Sequence, residues 1–289
     1  MGVFQNPHGK RPGNWKILAL SAMAALAVAG ISQTTHAALV ASDNAGNSAY
    51  ASGWNSGSNG GSGFGSWSLS GSSNSGFFIG ASTVNDNNNL LPAGDTADIG
   101  TAWGTYANTN YYATATRDFT GGALAVGQSF SLAYDNGNVQ TGGADFLNLV
   151  DSLGSNLFTF GFVGGNRDYS YSDAASFRAD TGIGFTYFGL DTVFTLTSAT
   201  TYSFTIAPID ASLASKTVTG TISGSIVGFS VVNDNTGGGN GNNFYVNSLQ
   251  VSAAPSSAVP TPAPFGLVLA GGIGLAGLAI RRRASVART

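Results

Sequence analysis

Asp is the only acidic residue in this chain: all 14 carboxylate side chains are Asp, and the 289 residues hold no Glu and no Cys. Its two histidines, His8 and His36, lie in the first 37 residues together with both methionines, Met1 and Met23. Between Ala38 and Val259 the titratable inventory is therefore Asp, Tyr and the cations Arg117, Arg167, Arg178 and Lys216. Fourteen aspartates against four cations leave that stretch with an excess of ten negative charges, while the whole chain carries −3. A Ser–His–Asp or Cys–His nucleophile cannot be assembled from such a set. Nor can a zinc centre of the usual His/Cys kind. The acidic balance repels phosphates, which argues against a nucleic-acid partner.

Three chemistries stay open to the middle of the chain. Carbohydrate binding needs aromatic faces for sugar rings and a few well-placed amides or carboxylates for hydroxyls. Trp54, Trp67 and Trp103, with Tyr106, Tyr111 and Tyr112, stand near Asn- and Asp-rich stretches and are the candidate glycan contacts. The bland reading of the same aromatics is a hydrophobic core. Calcium binding needs clustered oxygen ligands; DNAGN (43–47), NDNNN (85–89), DNGN (135–138) and NDN (233–235) offer them, and GGADFL (142–147) resembles a fragment of a Gly-rich calcium repeat. None matches an EF-hand loop, and Asp-Asn-Gly is equally a β-turn. Glycoside hydrolysis needs two opposed carboxyl groups. It is the enzyme alternative, with Asp as the only available acid. No catalytic, cofactor-binding or metal-ligating set is assigned, and the chain is read as a non-enzyme for which calcium is the one cofactor worth testing.

The elements that would position these residues read as strands. Apolar side chains alternate at Phe158, Phe160 and Phe162, at Tyr202, Phe204 and Ile206, and at Phe244 and Val246, the period of a half-buried strand. Further strands are predicted over 76–83, 111–119, 128–134, 182–190, 191–198 and 225–233, with Gly- and Asn-rich turns between them. Residues 144–154 (ADFLNLVDSLG) fit either one short helix or a strand and loop. Residues 38–76 are dominated by Gly, Ser and Asn, yet carry Tyr50, Trp54, Phe64 and Trp67. Flexible linkers lack aromatics at that density, so short strands joined by Gly-rich loops are expected. Ten or more short strands and no fixed repeat predict an all-β chain, an antiparallel, jelly-roll-like β-sandwich spanning 38–253.

The two ends predict a destination. Lys10, Arg11 and Lys16, the apolar run Ile17–Ile31 and the polar stretch closing Thr35-His36-Ala37 follow the plan of a secretory signal peptide over 1–37. Cleavage is placed after Ala37, with Ala29 or Ala38 as alternative cuts, so signal peptidase and Sec-type export machinery are expected partners. At the other end a Pro/Ser/Ala linker and motif (254–264) precede the uncharged run 265–280 and a basic tail (281–289). Those 16 apolar residues make a helix of about 24 Å, short of a roughly 30 Å hydrocarbon core unless the bilayer thins and arginines snorkel. Arg281, Arg282 and Arg283 then set topology with the tail on the cytoplasmic side.

Val259, Pro260, Thr261, Pro262 and Ala263, followed by a Gly/Leu/Ala helix and an Arg cluster, resemble the PEP-CTERM sorting signal of Gram-negative bacteria. The family's usual Glu between the prolines is Thr261 here. The resemblance implies processing by an exosortase-like membrane protease and release towards the cell surface, among bacteria that make exopolysaccharide, biofilm or floc matrix. More loosely, NGGSGFGSWSLS, GFFIGAST, RDFTGGALAVGQSFSLAYDNG, TGIGF and NNFYVNSLQV are similar to the β-rich, concanavalin A-like ectodomains carried by such tails. The expectation is an exported protein, transiently anchored in the inner membrane with its ectodomain in the periplasm, then at the cell surface or extracellular. Its expected role is structural or adhesive and exopolysaccharide-associated, with a lectin-like module as the alternative and an Asp-based glycoside hydrolase as a further one.

Overall fold

The computed structural model describes residues 38–82, 101–210 and 212–255. Fifteen strands make up most of it. They are β1 (Leu39–Asp43), β2 (Ser68–Gly71), β3 (Ser75–Gly80), β4 (Ala102–Ala107), β5 (Tyr112–Asp118), β6 (Ser129–Asn136), β7 (Ala144–Val150) and β8 (Asn156–Val163). After them come β9 (Asp168–Ser172), β10 (Ala179–Gly184), β11 (Leu190–Leu196), β12 (Thr201–Pro208), β13 (Lys216–Thr221), β14 (Gly228–Asp234) and β15 (Phe244–Ser252). All pairings are antiparallel. One sheet runs β13-β12-β11-β6-β15-β4-β3 with β1 added on β15; the other runs β10-β9-β8-β7-β14-β5-β2. The chain crosses between sheets repeatedly, so sequence neighbours such as β6 and β7 lie in opposite layers. This is the antiparallel, jelly-roll-like sandwich that the alternating pattern predicts.

Aromatic side chains from the two inner faces fill the space between the layers. Phe130 on β6 meets Phe229 on β14 at 4.8 Å between ring centroids, and Phe158 on β8 meets Phe204 on β12 at 4.8 Å. Tyr134 on β6 packs edge-on against Phe160 on β8 at 5.4 Å. Each such ring, fully removed from water, contributes roughly 1.5–3 kcal/mol from burial, which explains how a cysteine-free chain holds its two layers together.

One open reading is decided and one expectation changes. Residues 144–150 are the strand β7, paired on both edges by β14 and β8. Its burial does not alternate, because Asn148 on the outer face is also buried; a strand covered on both faces loses period 2 and resembles a helix. The predicted strand 182–190 does not exist as one element. β10 ends at Gly184 and β11 begins at Leu190, with residues 185–189 in a loop between the two layers.

Among the described residues no helix is long and apolar enough to cross a membrane. The expected signal peptide with Ala37, the NDNNN cluster at 85–89, and Val259–Ala263, the helix 265–280 and Arg281–Arg283 all lie outside the described residues.

Candidate functional site

The three tryptophans expected to contact glycans are core residues. Trp54, Trp67 and Trp103 are 3%, 1% and 0% exposed. They form one cluster, with Trp54–Trp67 ring centroids at 5.0 Å and Trp67–Trp103 at 5.4 Å. No sugar can stack on rings that already pack edge-to-face against one another. The bland reading is the correct one for all three.

That cluster sits beside a buried ion pair that organises the Gly-rich segment. Arg117 points inward from β5 at 1% exposure and its Nη1 donates to Asp43 Oδ2 at 2.6 Å. Its remaining nitrogens donate to the carbonyl of Gly65 (2.6 Å), to Asn59 Oδ1 (2.6 Å) and to the carbonyl of Gly60 (3.0 Å). The guanidinium also lies 5.0 Å from the Phe64 ring centre and 5.1 Å from that of Trp67. Tyr50 donates to Asp43 as well and accepts from the Gly60 N–H; burial, then this bond to Asp43, pushes its pKa up to about 12. One cation thus ties a loop-rich stretch to the sandwich. Sequence reasoning weighed Arg117 only as a charge, although an Arg in a strand of alternating Ala and Thr is itself a signal of an inward-facing partner.

The acidic clusters resolve mostly into local structure. In DNAGN, Asp43 holds Arg117 and Asn47 caps a 3-10 turn by accepting from the Ala49 N–H at 3.0 Å. In NDN, Asn235 accepts from the Asn110 N–H (2.6 Å) and from Gln140 (2.7 Å). In DNGN, Asn136 accepts from Tyr169 at 2.8 Å. No group of three or more His, Cys, Asp or Glu among the described residues is placed to hold a metal ion. Asp145, inside GGADFL, is fully buried, and neither carboxyl oxygen has a hydrogen-bond partner. Burial foremost, then the neighbouring Asp135 and Asp234, holds its pKa well above the usual carboxylate range.

A different aromatic surface faces solvent. On the outer face of the eight-stranded sheet, Phe78 and Tyr106 line a groove of about 490 Å³ with Tyr245, Asn108, Asn240 and Asn243. Register explains why the two rings can sit over the sheet backbone. Phe78 is paired directly with Gly104, and Tyr106 with Gly76. A Cβ on Gly104 would come within 2.4 Å of the Phe78 ring, and one on Gly76 within 2.7 Å of the Tyr106 ring. Each ring therefore occupies the space over bare glycine backbone across the strand pair. Tyr245, at 2% exposure, supports Phe78 edge-on at 5.7 Å and 88°. Its hydroxyl accepts from Asn243 Nδ2 at 3.1 Å. Tyr106 is 40% exposed, and Asn240 is open to solvent. Of the predicted aromatic contacts, only Tyr106 belongs to this groove; Tyr112 is exposed on β5 in the other sheet. Phe78 was missed because GFFIGAST reads as an ordinary core strand.

These features define an all-β antiparallel sandwich with an aromatic, asparagine-rimmed groove on one outer face. No family model matches the chain, and no curated protein matches it. Among solved structures, the calcium-bound exoplasmic/lumenal domain of VIP36 aligns over 67% of this chain and 85% of its own, at 10% identity and TM-score 0.39. A legume lectin-like domain from Entamoeba histolytica aligns over 53% and 84%, at 11% identity and TM-score 0.34. The ligand-binding domain of botulinum neurotoxin serotype D, in complex with N-acetylneuraminic acid, aligns over 63% and 43%, at 10% identity and TM-score 0.32.

Proposed function

We propose that this chain is an exported, non-enzymatic carbohydrate-binding protein of the cell surface or extracellular matrix, and that the Phe78–Tyr106 groove takes a neutral sugar. The observation that carries the reading is the pair of rings laid on Gly104 and Gly76. An aromatic ring face suits the apolar C–H face of a pyranose, and amide groups beside it suit ring hydroxyls. Asn108, Asn240 and Asn243 supply those amides without charge. The structural or adhesive role expected from the sequence remains compatible with this chemistry, since glycan binding is a means of adhering to an exopolysaccharide.

Export, membrane sorting and exosortase processing rest on the signal-peptide pattern of 1–37 and on the resemblance of Val259–Arg283 to the PEP-CTERM signal. A glycan array probed with the purified full chain, in calcium and in chelator, tests the binding function. Saturable binding to a neutral glycan that Tyr106→Ala abolishes is the expected result. A blank array under both conditions removes the lectin reading and leaves a purely structural one.

A further inference from the structure

The opposite outer face of the sandwich carries a second groove of different chemistry. It measures about 370 Å³ and is floored by β14, β7, β8 and β9 of the seven-stranded sheet. Register places Ser230, Asn148, Thr159 and Ser172 side by side in one row across four strands. Asn148 Nδ2 donates to Ser230 Oγ at 3.2 Å, and Thr159 Oγ1 donates to Asn148 Oδ1 at 2.8 Å. Ser172 Oγ accepts the Arg178 N–H at 2.9 Å, which leaves its own O–H to donate. Ser230 backs this row, and the groove floor itself, Asn148, Thr159 and Ser172, is neutral and polar.

One cation lines this groove, Arg178. Elsewhere Arg117 is buried in its ion pair and Arg167 lies 3.6 Å from Asp168. Arg178 has no ion pair among the described residues. Its neighbour in the groove wall, Asp173, is already committed: it accepts from the Ala175 and Ser176 N–H groups, the Tyr202 hydroxyl and the Thr221 N–H. Two features mark the Arg178 corner as more than a loop end. Arg178 sits at φ +49°, a backbone region costly for a long side chain, and Phe177 beside it is 82% exposed. The guanidinium stays 5.5 Å from the Phe177 ring centre, so the two side chains form one amphipathic wall above the polar floor.

We infer that this second groove binds a saccharide bearing a single carboxylate, a uronic acid residue, with Arg178 on the carboxylate and the Asn148–Thr159–Ser172 row on hydroxyls. A guanidinium matches a planar carboxylate bidentately. A densely charged polyanion fits less well, because the stretch from Ala38 to Val259 already carries ten excess negative charges. The site lies on the other sheet from the Phe78–Tyr106 groove and does not depend on it.

The test is calorimetric titration of the full chain at 0.15 M salt, a screening length of about 8 Å, with a tetrasaccharide carrying one glucuronate and with its carboxyl-reduced counterpart. The glucuronate form is expected to bind at least tenfold more tightly than the reduced form. Arg178→Ala is expected to erase that difference, while Arg167→Ala, at an exposed arginine outside both grooves, leaves it intact. Arg178→Gly supplies a second readout: relieving the left-handed backbone keeps or raises the Tm while affinity falls. Absence of binding, equal affinity for both saccharides, or full affinity in Arg178→Ala overturns the proposal. So does a lower Tm in Arg178→Gly, which marks Arg178 as structural.

Discussion

Two buried ionisable side chains behave in opposite ways and make separate predictions. Arg117 is compensated: Asp43, Asn59 and two carbonyls accept from it. Replacing it by Met leaves Asp43 as an uncompensated charge in the core, and removing one partner of a buried pair costs about 3–5 kcal/mol. Urea denaturation of Arg117→Met is expected to show a loss in that range, with partial recovery in Asp43→Asn/Arg117→Met. A loss below about 1 kcal/mol, the size of a surface pair, would contradict the hub. Asp145 is uncompensated and holds its proton. An unfolded Asp releases its proton near pH 3.9, whereas the buried carboxyl keeps it to higher pH. The unfolded state therefore binds fewer protons in that window, and Asp145's contribution to stability falls as pH rises above about 4 towards the raised folded value. Asp145→Asn, measured with EDTA present, is expected to be more stable than the native chain at pH 7 and equal to it at pH 3. A less stable variant at pH 7 would mean that the carboxylate is ionised and partnered.

At the scale of elements, β3 and β4 place the groove, and their pairing is what a substitution can disturb. Gly104→Ala drives a methyl into the Phe78 ring. The ring can swing outward, so the expected cost in stability is about 1 kcal/mol, the low end for overpacking. Glycan affinity is expected to fall about fivefold, close to 1 kcal/mol of binding; unchanged affinity would mean that the ring is not the platform. These elements also mark what sequence can convey. β8, β12 and β15 were legible because one face of each is core and the other is polar, or because aromatics repeat at every second residue. β7 stayed ambiguous between helix and strand plus loop, since its outer-face residues at the groove floor are largely buried too. Trp54 and Trp67 were misassigned because residues 38–76 have no period to say which way a side chain points. Phe78 and Tyr106 became a platform through their partners Gly76 and Gly104, and cross-strand register is not written in either strand alone.

For the molecule as a whole, the two sheets turn different outer faces to solvent. One carries aromatic rings and amides; the other carries a hydroxyl row and Arg178. An exported protein with both could engage matrix glycans from two sides. Its route is tested by intact mass of protein recovered from the surface or medium of the producing cell. The expected species begins at Ala38 and lacks Arg281–Arg283. A mature form that retains those arginines would contradict removal of the tail, and Thr261, in place of the usual Glu, would be the first residue to exchange.

Calorimetric titration of the best neutral glycan from the array decides whether the Phe78–Tyr106 groove is a sugar site. Saturable binding by the native chain is expected, with loss of at least tenfold in Tyr106→Ala and no loss in Trp54→Phe, whose ring is buried in the core. Equal affinity in the native chain and Tyr106→Ala would contradict a sugar site there.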